Sequence, residues 1–97
     1  MSQSNELPTL YDFWAPWCAP CRAMSPAIDA LAKKLEGKIE VKKVNIDENP
    51  KLMEFYRVRA VPTLILVSTD EMMRIVGATS SEVLESKIEE ALKSAAG

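Results

Sequence analysis

Trp14-Ala15-Pro16-Trp17-Cys18-Ala19-Pro20-Cys21-Arg22 holds the only two cysteines of the 97 residues, both tryptophans and two of the six prolines. An apolar run, Leu7 to Trp14, leads into it, and a helical pattern starts at Cys18 and continues to about Leu35. On a first helical turn, positions i and i+3 bring Cβ atoms within roughly 5–6 Å. A disulfide needs about 3.5–4.5 Å, so a small local adjustment closes or opens this pair. A helix N-terminus also leaves N–H groups unsatisfied and carries the positive end of the macrodipole. That field favours thiolate over thiol, and thiolate is the reactive species. The pair reads as a redox switch.

Working outward, hydrophobic periodicity and turn residues order the remaining elements. Leu7–Trp14 reads as a buried strand with Pro8 tolerated only at its start. Met24, Ile28, Leu31 and Leu35 fall on one helical stripe, Pro26 is expected to kink that helix, and Gly37 to end it. Ile39–Ile46 is a second strand, Asp47-Glu48-Asn49-Pro50 a turn and helix start, and Lys51–Tyr56 a short helix with Leu52 and Phe55/Tyr56 as its apolar side. Val61-Pro62-Thr63 precedes a strand, Leu64–Val67, joined through Ser68–Glu71 to a second, Met72–Val76. Gly77 breaks that strand. Thr79-Ser80-Ser81-Glu82 reads as a capping box opening a last helix with Leu84, Ile88, Ala91, Leu92 and Ala95 on one face. The order β-α-β-α-β-β-α predicts an α/β domain over residues 1–97. Its four-stranded mixed sheet has one right-handed parallel crossover and helices on both faces, with residues 1–6 a loose terminus.

Composition bounds the function. The chain is 47% apolar and 27% charged with a net charge of −2, ordinary for a globular domain. Neither nucleic acid nor membrane is indicated as a partner. The polar start, Met1–Glu6, lacks the basic and apolar regions of a secretory signal, so cytoplasm is the expected setting. A structural staple is then disfavoured for the cysteines. Zinc usually takes four ligands, and with no histidine and no third cysteine one chain lacks the Cys and His ligands for such a site. A metal shared between two copies, or cysteines that merely pack, remain the alternatives to redox chemistry.

Asp12 shares strand parity with Leu10 and Trp14, and Lys43 shares parity with Ile39 and Val41. Two opposite charges on adjacent strands invite pairing, directly or through water, because an unpaired buried charge costs several kcal/mol or shifts its pKa. A structural ion pair is the simpler reading of the two. Trp14 reads as core beside the cysteines; Met24, Met53, Met72 and Met73 read as core gap-fillers. Lys42, Lys51, Arg57 and Arg59 read as a solvated face.

These residues resemble the thioredoxin family. Asp12-Phe13-Trp14-Ala15 followed by Trp17-Cys18-Ala19-Pro20-Cys21 is similar to its strand and active-site turn, with Ala19 where glycine usually stands. Pro26 resembles the family's helix proline, Val44–Pro50 the stretch after the next strand, Val61-Pro62-Thr63 its cis-proline loop and Val76-Gly77-Ala78 its groove glycine. Only Met1–Tyr11 precede Asp12, where the family normally has a further strand and helix, so the chain compares with the minimal fold of glutaredoxins. The resemblance implies a thioredoxin fold and a monomeric protein-disulfide reductase with no cofactor beyond a Cys18–Cys21 disulfide. Cys18 would attack from the exposed side of the helix N-cap, and Cys21, a turn deeper, would resolve. Asp12 would take the Cys21 proton, with Lys43 modulating it. Trp17, Ala60, Val61, Pro62, Gly77 and Ala78 would bind disulfide-containing protein substrates, with Ala19 and Pro20 in the active-site turn. A thioredoxin-reductase-like protein or a small thiol would donate electrons. The alternatives are a glutaredoxin-like oxidoreductase and a non-enzymatic binding module sharing zinc.

Overall fold

A computed structural model describes residues 7–69 and 71–96, with 94–96 through their backbone alone. The loose terminus expected at 1–6 and the apolar-face position of Ala95 lie outside what is described. Seven elements follow in the expected order: β1 Thr9–Trp14, α1 Ala19–Lys34, β2 Glu40–Asn45, α2 Pro50–Phe55, β3 Thr63–Val67, β4 Met72–Val76 and α3 Ser81–Ala96. The sheet runs β2-β1-β3-β4. The β1–β2 pair is parallel, and the β1–β3 and β3–β4 pairs are antiparallel. The mixed four-stranded sheet is therefore as expected.

Strand alternation sorts side chains onto two faces. Leu10, Leu64 and Leu66 face one way and pack with Met24, Ile28, Leu31 and Leu35 of α1 and Leu84 and Ile88 of α3. Phe13, Val44 and Ile65 face the other way, against Leu52, Met53 and Tyr56 around α2. So α1 and α3 cover one face and α2 the other. The stripe read from α1 is buried, and of that read from α3 Leu84 and Ile88 are buried with Ala91 and Leu92 partly so. Each fully buried side chain of this size contributes about 1.5–3 kcal/mol on leaving water.

Several local expectations differ. Pro8 precedes β1 and its carbonyl accepts from Glu40 N at 2.9 Å, so the strand starts two residues later than its apolar run. Helix α1, with Pro26 inside it as expected, runs to Lys34. Leu35 caps that helix; Gly37, at φ +86°, serves the turn beyond it, where Lys38 and Ile39 N–H groups return to the Leu35 carbonyl. Phe55 is 75% exposed, because a six-residue helix shows too little of its surface to the sheet to bury Leu52, Tyr56 and Phe55 together. Met72 is also exposed, pointing outward on edge strand β4. The last helix is capped by Ser80, whose Oγ accepts from Val83 N at 3.2 Å. Thr79 and Glu82 therefore do not form the expected reciprocal box; Glu82 instead accepts from Ser81.

Candidate active site

The active-site turn is built by residues beside it in sequence. β1 ends at Trp14, and Cys18 N donates to the Ala15 carbonyl at 3.1 Å, closing a turn around Pro16 and Trp17. Cys18 then takes the N-cap position of α1 with extended backbone, φ −96° and ψ 102°. Its Sγ accepts from Cys21 N at 3.1 Å, the role a serine or aspartate oxygen plays at most helix starts. Pro20 fits the first turn because the N–H it lacks has no partner there. Arg22 reaches back, Nη1 donating to the Pro16 carbonyl at 2.7 Å, and fastens the turn to the helix.

Cys18 and Cys21 are joined as a disulfide, with Cα atoms 5.3 Å apart. Both are buried, at 5% and 6% exposure. This corrects the expectation that Cys18 stands on the exposed side with Cys21 deeper. With the bond closed, the cysteines and Ala15 form one small cluster against which Trp14, Ile46 and Val61 pack. The exposed group is Trp17, at 65%, its indole Nε1 donating to Asp47 Oδ1 at 3.3 Å.

Two backbone features bring distant residues to the cysteines. The Val61–Pro62 peptide is cis, and Val61 packs on the cysteine cluster. Thr63, 1% exposed, ties this loop from below: its Oγ1 donates to the Ala60 carbonyl at 2.6 Å. Gly77 ties it from the side, its N–H donating to the Pro62 carbonyl at 2.8 Å. Gly77 sits at φ +90°, a conformation open to glycine and strained for other residues. Ala60 and Ala78 flank the loop and are exposed. Of the expected groove residues, Val61 packs on the cysteine cluster, Pro62 is buried beside it, and Gly77 reaches this loop through its bond to Pro62.

Asp12 lies on the α1 face of the sheet, 7% exposed. Burial pushes its carboxyl up from 3.8 to about 6, with the Lys43 ammonium pulling it down and Asp29 pushing it up. Asp12 and Lys43 are register partners on β1 and β2. The Lys43 ammonium nevertheless pairs with Asp29 Oδ1 at 2.7 Å and donates to Ser25 Oγ at 2.8 Å, both on α1. Among the described residues, Asp12 takes part in no ion pair, so the simple Asp12–Lys43 pair is not formed. Lys43 is long enough to choose between a buried and an exposed carboxylate, and the exposed one demands less desolvation.

Arg22, Ser25, Asp29, Asp47 and Thr63 carry this geometry without having been assigned site roles from sequence. The i, i+4 spacing of Ser25 and Asp29 was the one available signal, since it places both on the same side of α1. Among the described residues, no three His, Cys, Asp or Glu side chains gather to hold a metal ion. No helix there is long and apolar enough to cross a membrane. A groove of about 700 Å3 lies between β4 and α3, lined by Leu66, Met73, Arg74 and Leu92 among others. It contains none of the residues around the cysteines.

Comparison with known proteins agrees with the geometry. The thioredoxin family model matches residues 2–90. Thioredoxin from Porphyra purpurea is 44% identical over 86 residues, covering 88% of this chain and 80% of that one. Thioredoxin 1 from Nostoc sp. is 43% identical over 89 residues, covering 91% and 83%. A solved structure of a malarial protein superposes with TM-score 0.81 at 30% identity, covering 88% of this chain and 97% of that one. With a capped, closable cysteine pair on this fold and relatives of this similarity, the chain belongs to the thioredoxin family, and its chemistry is dithiol–disulfide exchange.

Proposed function

We propose that the protein reduces disulfides in other proteins, with Cys18 as attacking thiolate and Cys21 as resolving thiol. The observation that carries this assignment is the Cys21 N–H donated to Cys18 Sγ at the α1 N-terminus. Hydrogen bonding to the charged form stabilises a thiolate at Cys18 once the bond is open. That thiolate attacks one sulfur of the substrate disulfide, forming a Cys18–substrate mixed disulfide and expelling the other substrate sulfur as thiolate. Cys21 then loses its proton and attacks Cys18 Sγ. The mixed disulfide breaks, the second substrate thiolate leaves, and Cys18–Cys21 closes. Two electrons have passed from the dithiol to the substrate.

Asp12 fits the proton acceptor for Cys21. Cys21 is a buried residue of α1 and Asp12 a buried residue of the strand beneath it. A carboxyl that titrates near 6 exchanges a proton with a thiol close to neutrality far more readily than one at 3.8. Lys43 modulates that acid through its charge. Trp17, Val61 and the rim formed by Ala60, Pro62, Gly77 and Ala78 receive the substrate chain, Val61 offering main-chain groups to an extended peptide. Reduction by a reductase protein or a small thiol in a cytoplasmic setting would return the dithiol.

The reading favours reducing over oxidising chemistry because the sequence has no histidine. A histidine between the cysteines would stabilise the thiolate and make the disulfide a stronger oxidant. Equilibration against reduced and oxidised dithiothreitol, followed by Trp14 and Trp17 fluorescence, tests it. A midpoint at about −270 mV is expected, and one at about −230 to −200 mV would point to the glutaredoxin-like alternative. In parallel, Cys21→Ser should accumulate a mixed disulfide with a protein substrate and Cys18→Ser none. Trapping through Cys21 instead would reverse the two roles.

A further inference from the structure

Asp12 and Lys43 face each other in register across β1 and β2, yet the cation is held elsewhere. Its Nζ lies 2.7 Å from Asp29 Oδ1 and 2.8 Å from Ser25 Oγ. Ser25 and Asp29 are one turn apart on α1, so together they form a two-point clamp on a single ammonium. Both partners come from the helix that also carries Cys18 at its cap and Cys21 in its first turn.

We propose that Asp29, assisted by Ser25, is a positioning residue for the exchange reaction: it holds the Lys43 ammonium against α1 and keeps it from pairing with Asp12, leaving that carboxyl free to take and return the Cys21 proton. The inference rests on the reading of Asp12 as proton acceptor. A direct ion pair would hold Asp12 ionised down to low pH and make it a poor base. Clamped aside, Lys43 still exerts its field but forms no bond.

The charged and titratable groups around Asp12 are few. β2 presents Lys43, and α1 presents Asp29. β3 opposes Asp12 with Leu64. The α3 helix packs Leu84 and Ile88 into this face, while its Glu85 is engaged by Lys34. Burial raises the Asp12 carboxyl most, Lys43 lowers it and Asp29 raises it. Removing the Asp29 charge therefore acts twice in one direction, by deleting a repulsion and by releasing the cation.

The test is the carboxyl-carbon NMR titration of Asp12 in the oxidised protein, which reads the group without turnover. In Asp29→Asn the midpoint should fall by about half a pH unit, the scale of a partly exposed charge interaction. Ser25→Ala should move it less in the same direction, Asp29→Glu should restore it, and Lys43→Gln should move it upward. In the Lys43→Gln background, Asp29→Asn should shift it by less than in the parent, because the route through the ammonium is gone. An unmoved or raised midpoint in Asp29→Asn overturns the proposal. An undiminished shift without Lys43 overturns the clamp. Resolution of the mixed disulfide by stopped flow separates the underlying reading: if Asp12→Asn resolves at the parent rate from pH 6 to 9, Asp12 is not the acceptor, whatever the titration shows.

Discussion

The backbone N–H of Gly77 donates to the Pro62 carbonyl across 2.8 Å, fastening the end of β4 to the loop that packs Val61 on the cysteines. Just beyond that bond the backbone at Gly77 turns through φ +90°. A Cβ built there meets nothing within 4 Å, so any cost of adding one is conformational.

Gly77→Ala is accordingly expected to lower stability by about 1–2 kcal/mol in urea unfolding. Gly37→Ala is the comparison, since Gly37 has φ +86° and equally open surroundings but lies in the turn after α1. Both should lose stability, and only Gly77→Ala should also slow reduction of a protein disulfide. Equal rates in the two variants would detach Gly77 from the substrate rim.

Trp17 separates binding from folding. It is 65% exposed and its indole hydrogen-bonds to exposed Asp47. Trp17→Ala should change unfolding free energy by no more than about 0.5 kcal/mol. Steady-state assays with a protein disulfide should show KM raised roughly 5-fold or more, the loss typical of an aromatic contact at an interface centre. A parent-like KM would remove Trp17 from the substrate surface.

Asp12 makes stability depend on pH. The folded chain holds its proton to about 6, where an unfolded carboxyl releases it near 3.8. The folded state thus binds the proton more tightly, a contribution present in full below about pH 4 and lost as pH rises through about 6. Asp12→Asn removes the penalty of a buried carboxylate, so its advantage over the parent should grow from pH 4 to 7 and reach on the order of 1–3 kcal/mol. Urea unfolding of the two oxidised proteins at several pH values measures it. A difference that stays flat across this range would mean that Asp12 titrates alike in both states.

Much of this molecule was legible along the chain. The order of seven elements, the buried stripes of α1 and α3, the strand parity of Asp12 and the placing of Cys18 at a helix start all follow from interactions between residues a few positions apart. Hydrophobic spacing of 2 or 3.6 and the demands of a helix end operate locally, and the sequence displays them directly. The cis Val61–Pro62 bond was expected from family resemblance alone.

What only the tertiary structure decided involves choices between partners far apart in sequence. Lys43 could reach Asp12 or α1, and the placement of that helix over β2 put Asp29 and Ser25 within hydrogen-bond distance. Cys18 takes a helix cap, where residues are often accessible, yet it is buried in a cluster against which Trp14, Ile46 and Val61, the last 43 positions on by its number, pack. Phe55 and Met72 read as core by residue type and are left in solvent, because a short helix and an edge strand have too little facing surface to bury them. Periodicity states which side of an element is apolar; only packing states how much of that side meets a neighbour, and which of two equally charged groups a flexible side chain will choose.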